Sequence, residues 1–317
     1  MLYPISEPVP DSIKNRFGYI DDRGNVAVRP SYLACSHFFE GKAAVIDDTE
    51  KTGFIDAKGR LTIPHQFQGL GRFHNGVCFT GGGYINHFGD WLIPPTFLAA
   101  GAFSEGLASA STDAENFGFI DFTGRFVLPP SFRPCKSFSE GLAAVCIDDR
   151  WGFIDRAGKL EIPTVFEGPT PKRFRGGIAG VRIDGSWGFI DRSGSFLIKP
   201  EYEEVRHFSE GRACVRRNGK WGMIDADGQQ IFDCQFDELE PLNAGMAAAK
   251  IDGKAGFLSA ATKWLIEPKF DRCLSFFGNL AVVKLGKTYS YIQRDGQIVW
   301  TSQPEAQLEY PPPPFFV

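Results

Sequence analysis

A short phrase, Gly-aromatic-Ile followed by Asp or a relative, returns nine times along the 317 residues of this chain. It is carried by Gly18, Gly53, Gly83, Gly118, Gly152, Gly188, Gly222, Gly256 and, with serine in place of glycine, Ser290. The intervals are 35, 30, 35, 34, 36, 34, 34 and 34 residues. A period in the thirties means one supersecondary unit stacked on copies of itself, because no single copy can bury its own apolar face.

Residues 138–166 show the repeat most clearly. After Phe138-Ser-Glu-Gly141, the run Gly141-Leu-Ala-Ala-Val-Cys-Ile147 reads as a first strand. A tight turn follows, and its equivalents Asp184-Gly185, Asn218-Gly219 and Asp252-Gly253 are hairpin signals, since these residues accept positive φ at low cost. The second strand, Trp151-Gly-Phe-Ile-Asp155, is apolar on both faces and so is expected to be buried on both. Asp155-Arg-Ala-Gly158 recurs at Asp21, Asp56, Asp121, Asp191 and Asp225. Asp at the first position and Gly at the fourth favour a turn whose carboxylate caps its own amides, rather than a row of catalytic or calcium-binding groups. A third strand, Leu160-Glu-Ile162, runs into Pro163, which has no N–H to give to a ladder.

No segment keeps a helical period, so the chain is expected to be all-β: tandem three-stranded meanders forming an open twisted solenoid, with a closed β-propeller-like ring as the alternative. The solenoid is preferred because residues 1–16 lack a Gly-Leu-Ala-Val strand and the tail cannot replace it. The expected layout is a lead-in or cap over 1–16, a single array over 17–300 and a Pro-rich tail or cap over 301–317.

Trp151-Gly-Phe-Ile-Asp, Trp187-Gly-Phe-Ile-Asp and Lys220-Trp221-Gly-Met-Ile-Asp, joined by Phe-Ser-Glu-Gly-Leu-Ala, resemble the bacterial WG (or KWG) β-repeat family over roughly residues 17–300. The name-giving Trp is replaced by Phe17, Thr52, Gly82, Phe117 and Ala255. The resemblance implies an all-β array with no general catalytic activity. Some such bacterial repeat proteins look like partners in toxin–antitoxin systems.

The net charge of −4 argues against a generic nucleic-acid binder. With no apolar run of 18 residues and no signal-peptide pattern at the start, a cytoplasmic protein is expected, with no membrane partner. The seven cysteines form no CxxC and mostly occupy core columns of the repeat as small hydrophobes, so they read as buried thiols in a reducing compartment. No metalloprotease, P-loop or nucleophile-elbow motif is present, so neither catalysis nor a cofactor or metal is expected. The expected function is a non-catalytic protein-interaction module, in its most concrete form an immunity-type protein that neutralises a toxin or effector. The alternatives are a glycan or peptidoglycan binder using aromatics on successive repeats and, further off, an enzyme with a site assembled on repeat loops.

Two departures from the consensus are candidate sites. Residues 172–222 hold eleven basic and six acidic side chains. There Arg173, Arg175, Arg182, Arg206, His207, Arg212, Arg216, Arg217 and Lys220, with Lys172, either form a basic ridge for an acidic partner or stand as solvated charges among Glu201, Glu203 and Glu204. The second departure is the shortened third repeat and its successor, with Phe79, Tyr84, His87, Phe88 and Phe122. These either form a sticky aromatic patch or fold back over their own sheets.

Overall fold

The computed structural model describes residues 1–8 and 15–303. Among them are 33 strands and no helix, arranged as nine small antiparallel sheets. Two compact bodies emerge, Met1–Thr96 with Phe276–Val317, and Phe97–Ser275.

In the second body the three expected strands form in every sheet, and in three of the sheets a two-residue strand, Ala99–Ala100, Glu204–Val205 or Glu238–Leu239, adds a fourth. Ala143–Ile147 pairs with Arg150–Ile154, placing Ala143 opposite Ile154 and Val145 opposite Gly152. The third strand, Leu160–Phe166, extends past the proline that was expected to end it. It does so by bulging: Trp151 faces Phe166 and Phe153 faces Ile162, so residues 163–165 stand against Gly152 alone. A bulge of this kind absorbs the missing proline N–H. It also presses backbone onto the glycine, where an added Cβ would lie 2.6 Å from the Ile162 carbonyl oxygen.

The exception in the series explains itself the same way. Ser290 lies directly opposite Thr301, and Tyr291 opposite Trp300, with no bulge at the serine. Its hydroxyl sits 2.9 Å from that of Thr301. Serine stands where the bulge is absent.

The Asp turns are also as read. Asp155 Oδ1 accepts from the amides of Ala157 and Lys159 at 2.9 and 2.8 Å, and Asp191 Oδ1 from those of Ser193 and Ser195 at 2.8 and 3.0 Å. Between sheets the core is aromatic and aliphatic. Phe153 meets Phe174 of the next repeat edge to face at 5.0 Å, among Leu142, Trp151, Ile162 and Val181.

The first body corrects two expectations. Tyr3–Pro8 is a strand, paired with Asn15–Ile20 so that Tyr3 faces Ile20 and Ile5 faces Gly18. This is the register of Ala143 and Val145 against their partners, so the lead-in supplies the first strand of the first sheet. Pro4, Pro8 and a tyrosine in a column otherwise filled by Ala or Cys hide it from pattern reading.

That sheet packs on the ninth. Tyr3, Ile5, Ile20, Leu280 and Tyr291 share one core. The Tyr291 hydroxyl donates to the Pro4 carbonyl at 2.7 Å, and the Tyr3 hydroxyl accepts from the Asn279 amide at 3.0 Å. An open solenoid would hold its first and last sheets apart. Within the first body they share one core, as the β-propeller-like alternative expects and the open solenoid does not. Of the tail, residues 304–317 lie outside the described residues.

Candidate partner-binding site

Successive repeats are joined through the Phe-Ser-Glu-Gly segment. Its Glu and Gly form a two-residue turn with both φ values positive, 55° and 80° at Glu140 and Gly141. The turn amides therefore point outward, where the preceding repeat can reach them. Glu140 accepts from the amides of Gly176 and Gly177 at 2.6 and 2.8 Å, and Ser139 Oγ donates to the Phe174 carbonyl at 2.7 Å. Glu105 and Ser104 treat Gly141 and Phe138 alike, at 3.0 and 2.7 Å, as do Glu210 and Ser209 with Gly245 and Leu242. Each joint is one charge-assisted contact plus one neutral hydrogen bond.

One joint in the second body lacks both. At the sixth repeat the Ser and Glu positions hold Arg175 and Gly176. Among the described residues, nothing accepts from the Gly211 amide and no side chain donates to the Phe208 carbonyl. A third position compounds the gap. The residue after the turn aspartate normally covers this region: Phe122 stacks on Phe103 at 4.2 Å, and an added Cβ on Gly141 would lie 3.5 Å from the Arg192 guanidinium. In the seventh repeat that residue is Ala226. The result is a cleft of about 360 Å³ lined by Arg175, Gly176, Phe208, Glu210, Gly211 and Ala226.

The basic residues divide in two. Arg216 lies 3.9 Å from Glu203 and 3.7 Å from Glu204, Arg217 is 2.7 Å from Glu201, and Lys220 is 2.5 Å from Asp237. Arg182 bonds the Gly185 carbonyl at 3.2 Å and Arg212 bonds that of Ala260. These are engaged by neighbouring groups, Arg217 and Arg212 across to the adjacent repeats. The others converge. Burial first, then the charges of Arg175, Arg173, Lys172 and Arg206, push His207 down to about 4. Of these, Lys172 lies over Trp187 at 4.9 Å, and Arg206 lies over Trp221 at 5.0 Å and pairs with Glu240 at 3.0 Å. Arg175 is exposed and has no ion pair among the described residues.

The pattern of the repeats is matched by the family model for the WG containing repeat, over residues 17–48, 53–80, 83–113, 117–151, 151–187, 187–221, 221–254 and 256–289. The chain belongs to the WG-containing repeat family. No curated protein matches it. Among solved structures, this WG-repeat chain is similar to the computationally designed Ika8 protein, at 14% identity and a TM-score of 0.50, covering 84% of this chain and 95% of that one. BamB from Moraxella catarrhalis is similar at 12% identity and a TM-score of 0.44, covering 86% and 90%. At 14% identity the likeness to the Ika8 protein concerns the fold alone.

Within this WG-repeat chain the aromatic candidates do not make a patch. Phe122 folds back onto Phe103, Tyr84 is buried, and Phe79 packs beside it at 5.1 Å. His87 stacks on Phe73 at 4.3 Å with Nε2 3.3 Å from the Glu40 carboxylate. Phe88 is 82% exposed and meets no other ring among the described residues. The described cysteines are free, and burial pushes the thiols of Cys35, Cys78, Cys135, Cys214 and Cys273 up to about 12, which makes them poor nucleophiles. No group of metal-ligating side chains occurs among the described residues. Charge singles out Arg175 in the sequence but not Gly176, Gly211 or Ala226. The signal was available: Phe174-Arg-Gly-Gly177 departs from Phe-Ser-Glu-Gly at its two joining positions.

Proposed function

We propose that the chain is a non-catalytic interaction module that recognises an acidic protein surface. The observation that supports this reading is the convergence of Lys172, Arg173, Arg175 and Arg206 on His207, in a chain whose net charge is −4. Arg206 is balanced by Glu240, so Arg175, exposed and without an ion pair among the described residues, is the charge that an acidic partner would meet and be steered by. A toxin or effector neutralised by binding is the concrete form of this proposal, suggested by the repeat family rather than by any one residue. Glycan binding has less support, because sugar stacking needs several exposed ring faces, whereas Tyr84 is buried with Phe79 packed beside it, and Phe122 has one face covered by Phe103.

The test is capture from native lysate on the immobilised protein, followed by kinetics with the captured protein. Arg175→Glu is expected to slow association about tenfold and flatten its salt dependence. Arg216→Glu with Arg217→Glu is expected to act less on association, because both arginines already face carboxylates. Retention on peptidoglycan with no protein partner would reverse the reading.

A further inference from the structure

The cleft between the sixth and seventh repeats carries the outline of a missing group. At each of the other three joints inside the second body, a carboxylate from the preceding repeat meets the amides of a Glu-Gly, Gly-Gly or Ala-Gly turn. At the fourth, the turn Glu210-Gly211 keeps the same backbone, with φ of 51° and 73°. Glu210 directs its own carboxylate forward to Gly245, so it does not fill the gap. Gly176 removes the carboxylate, Ala226 removes the cover, and Arg175 adds a cation to the rim. Loss of a contact alone would leave a weak joint. Loss together with a gained arginine makes an anion site.

We propose that this cleft takes a carboxylate from the partner, namely a glutamate-like side chain whose oxygens accept from the Glu210 and Gly211 amides while Arg175 pairs with it. The partner's side chain would complete the joint that the chain's own glutamates complete elsewhere. The proposal rests on the acidic-partner reading and adds the chemical group and the place where it docks. A single carboxylate with two amides and one exposed arginine binds weakly alone, on the order of millimolar. It contributes specificity within a larger interface.

The test follows the Gly211 amide by ¹⁵N NMR while capped glutamate (N-acetyl, N-methylamide) is titrated to tens of millimolar, with capped glutamine as the neutral control and glutarate as a free dicarboxylate. The expected result is a saturable downfield shift of Gly211 with capped glutamate and none with capped glutamine. Gly176→Glu and Gly176→Gln should pre-fill the slot, moving the Gly211 resonance without ligand and weakening capped-glutamate binding at least tenfold. An added Cβ at Gly176 meets nothing within 4 Å, and its φ of 60° is near the 49–55° of the glutamates that fill this position, so both variants are expected to fold. No shift with capped glutamate, or an unchanged titration in both variants, overturns the proposal. Glutarate binding tenfold tighter than capped glutamate would overturn the protein source and point to a free metabolite. The two readings fail separately. A protein partner that binds both Gly176 variants at wild-type affinity sinks the cleft alone, whereas glutamate binding without any protein partner sinks the interaction reading alone.

Discussion

Two adjacent joints in the second body differ in what fills the same turn. Between the fifth and sixth repeats, Ser139 and Glu140 reach across to Phe174, Gly176 and Gly177. Between the sixth and seventh, Arg175 and Gly176 leave Phe208 and Gly211 uncovered beside a cleft. The floors of the two joints are alike, with Phe174 and Phe208 packed edge to face on Phe153 and Phe189 at 5.0 Å in both cases. Scaffold and site thus share a backbone, and three side-chain positions, those of Arg175, Gly176 and Ala226, decide which one a joint becomes.

The largest effect tests whether the floors are equivalent. Phe174→Ala and Phe208→Ala should each destabilise by about 3–5 kcal/mol, as buried phenylalanines do. Urea unfolding that finds Phe208→Ala far milder would mean the second joint is loose throughout and not only open at its rim. Next comes the closed joint itself. Glu140→Ala should cost about 1–2 kcal/mol, because it strips the acceptor from two amides in a partly exposed setting. No loss would remove the basis for treating the joints as different.

The reverse change is smaller. Gly176→Glu is expected to stabilise by about 0.5–1 kcal/mol, combining a new contact to the turn amides with a less flexible unfolded chain, offset by positive φ. Denaturation midpoints against wild type measure it. A separate effect concerns acid. His207 is pushed from 6.5 to about 4 by burial and the surrounding cations, so the unfolded chain takes up the proton first as pH falls. The stability it contributes is full above 6.5 and is lost progressively towards pH 4. His207→Gln should flatten the stability profile in that window, with His37, also held at about 4 by burial, accounting for a remaining slope. Urea midpoints at pH 7 and 4.5 give the comparison.

Much of this fold was legible because period, turn chemistry and strand apolarity all pointed the same way. Asp-x-x-Gly turns and Asp-Gly or Asn-Gly hairpins are local, and local chemistry reads well. Closure was not legible, because it depends on Tyr3 and Ile5 finding Tyr291 and Leu280 across almost the whole chain. Pro4 and Pro8 concealed the strand that carries them. The basic segment was visible as composition, but its division was not. Whether Arg216 faces Glu204 or solvent depends on strand register, while Arg173 and His207 meet through stacking of repeats. The cleft was missed for a simpler reason: two glycines in succession look like a flexible turn unless the function of the glutamate they replace is already known.

The joint at Asn279 is made differently from those in the array. Where Glu40 meets Asn75 and Gly76, burial opposes ionisation of the carboxyl, but the two amides and His87 outweigh it and hold the group below its ordinary range. Acid strong enough to protonate such a group removes its charge and weakens the joint. At Asn279 the acceptor is the phenol oxygen of Tyr3, whose ionisation burial shifts further upward. That bond carries no charge to lose. The seam between the first and ninth sheets is therefore an acid-resistant fastening, and falling pH should loosen the Glu40 joint while that seam stays clasped.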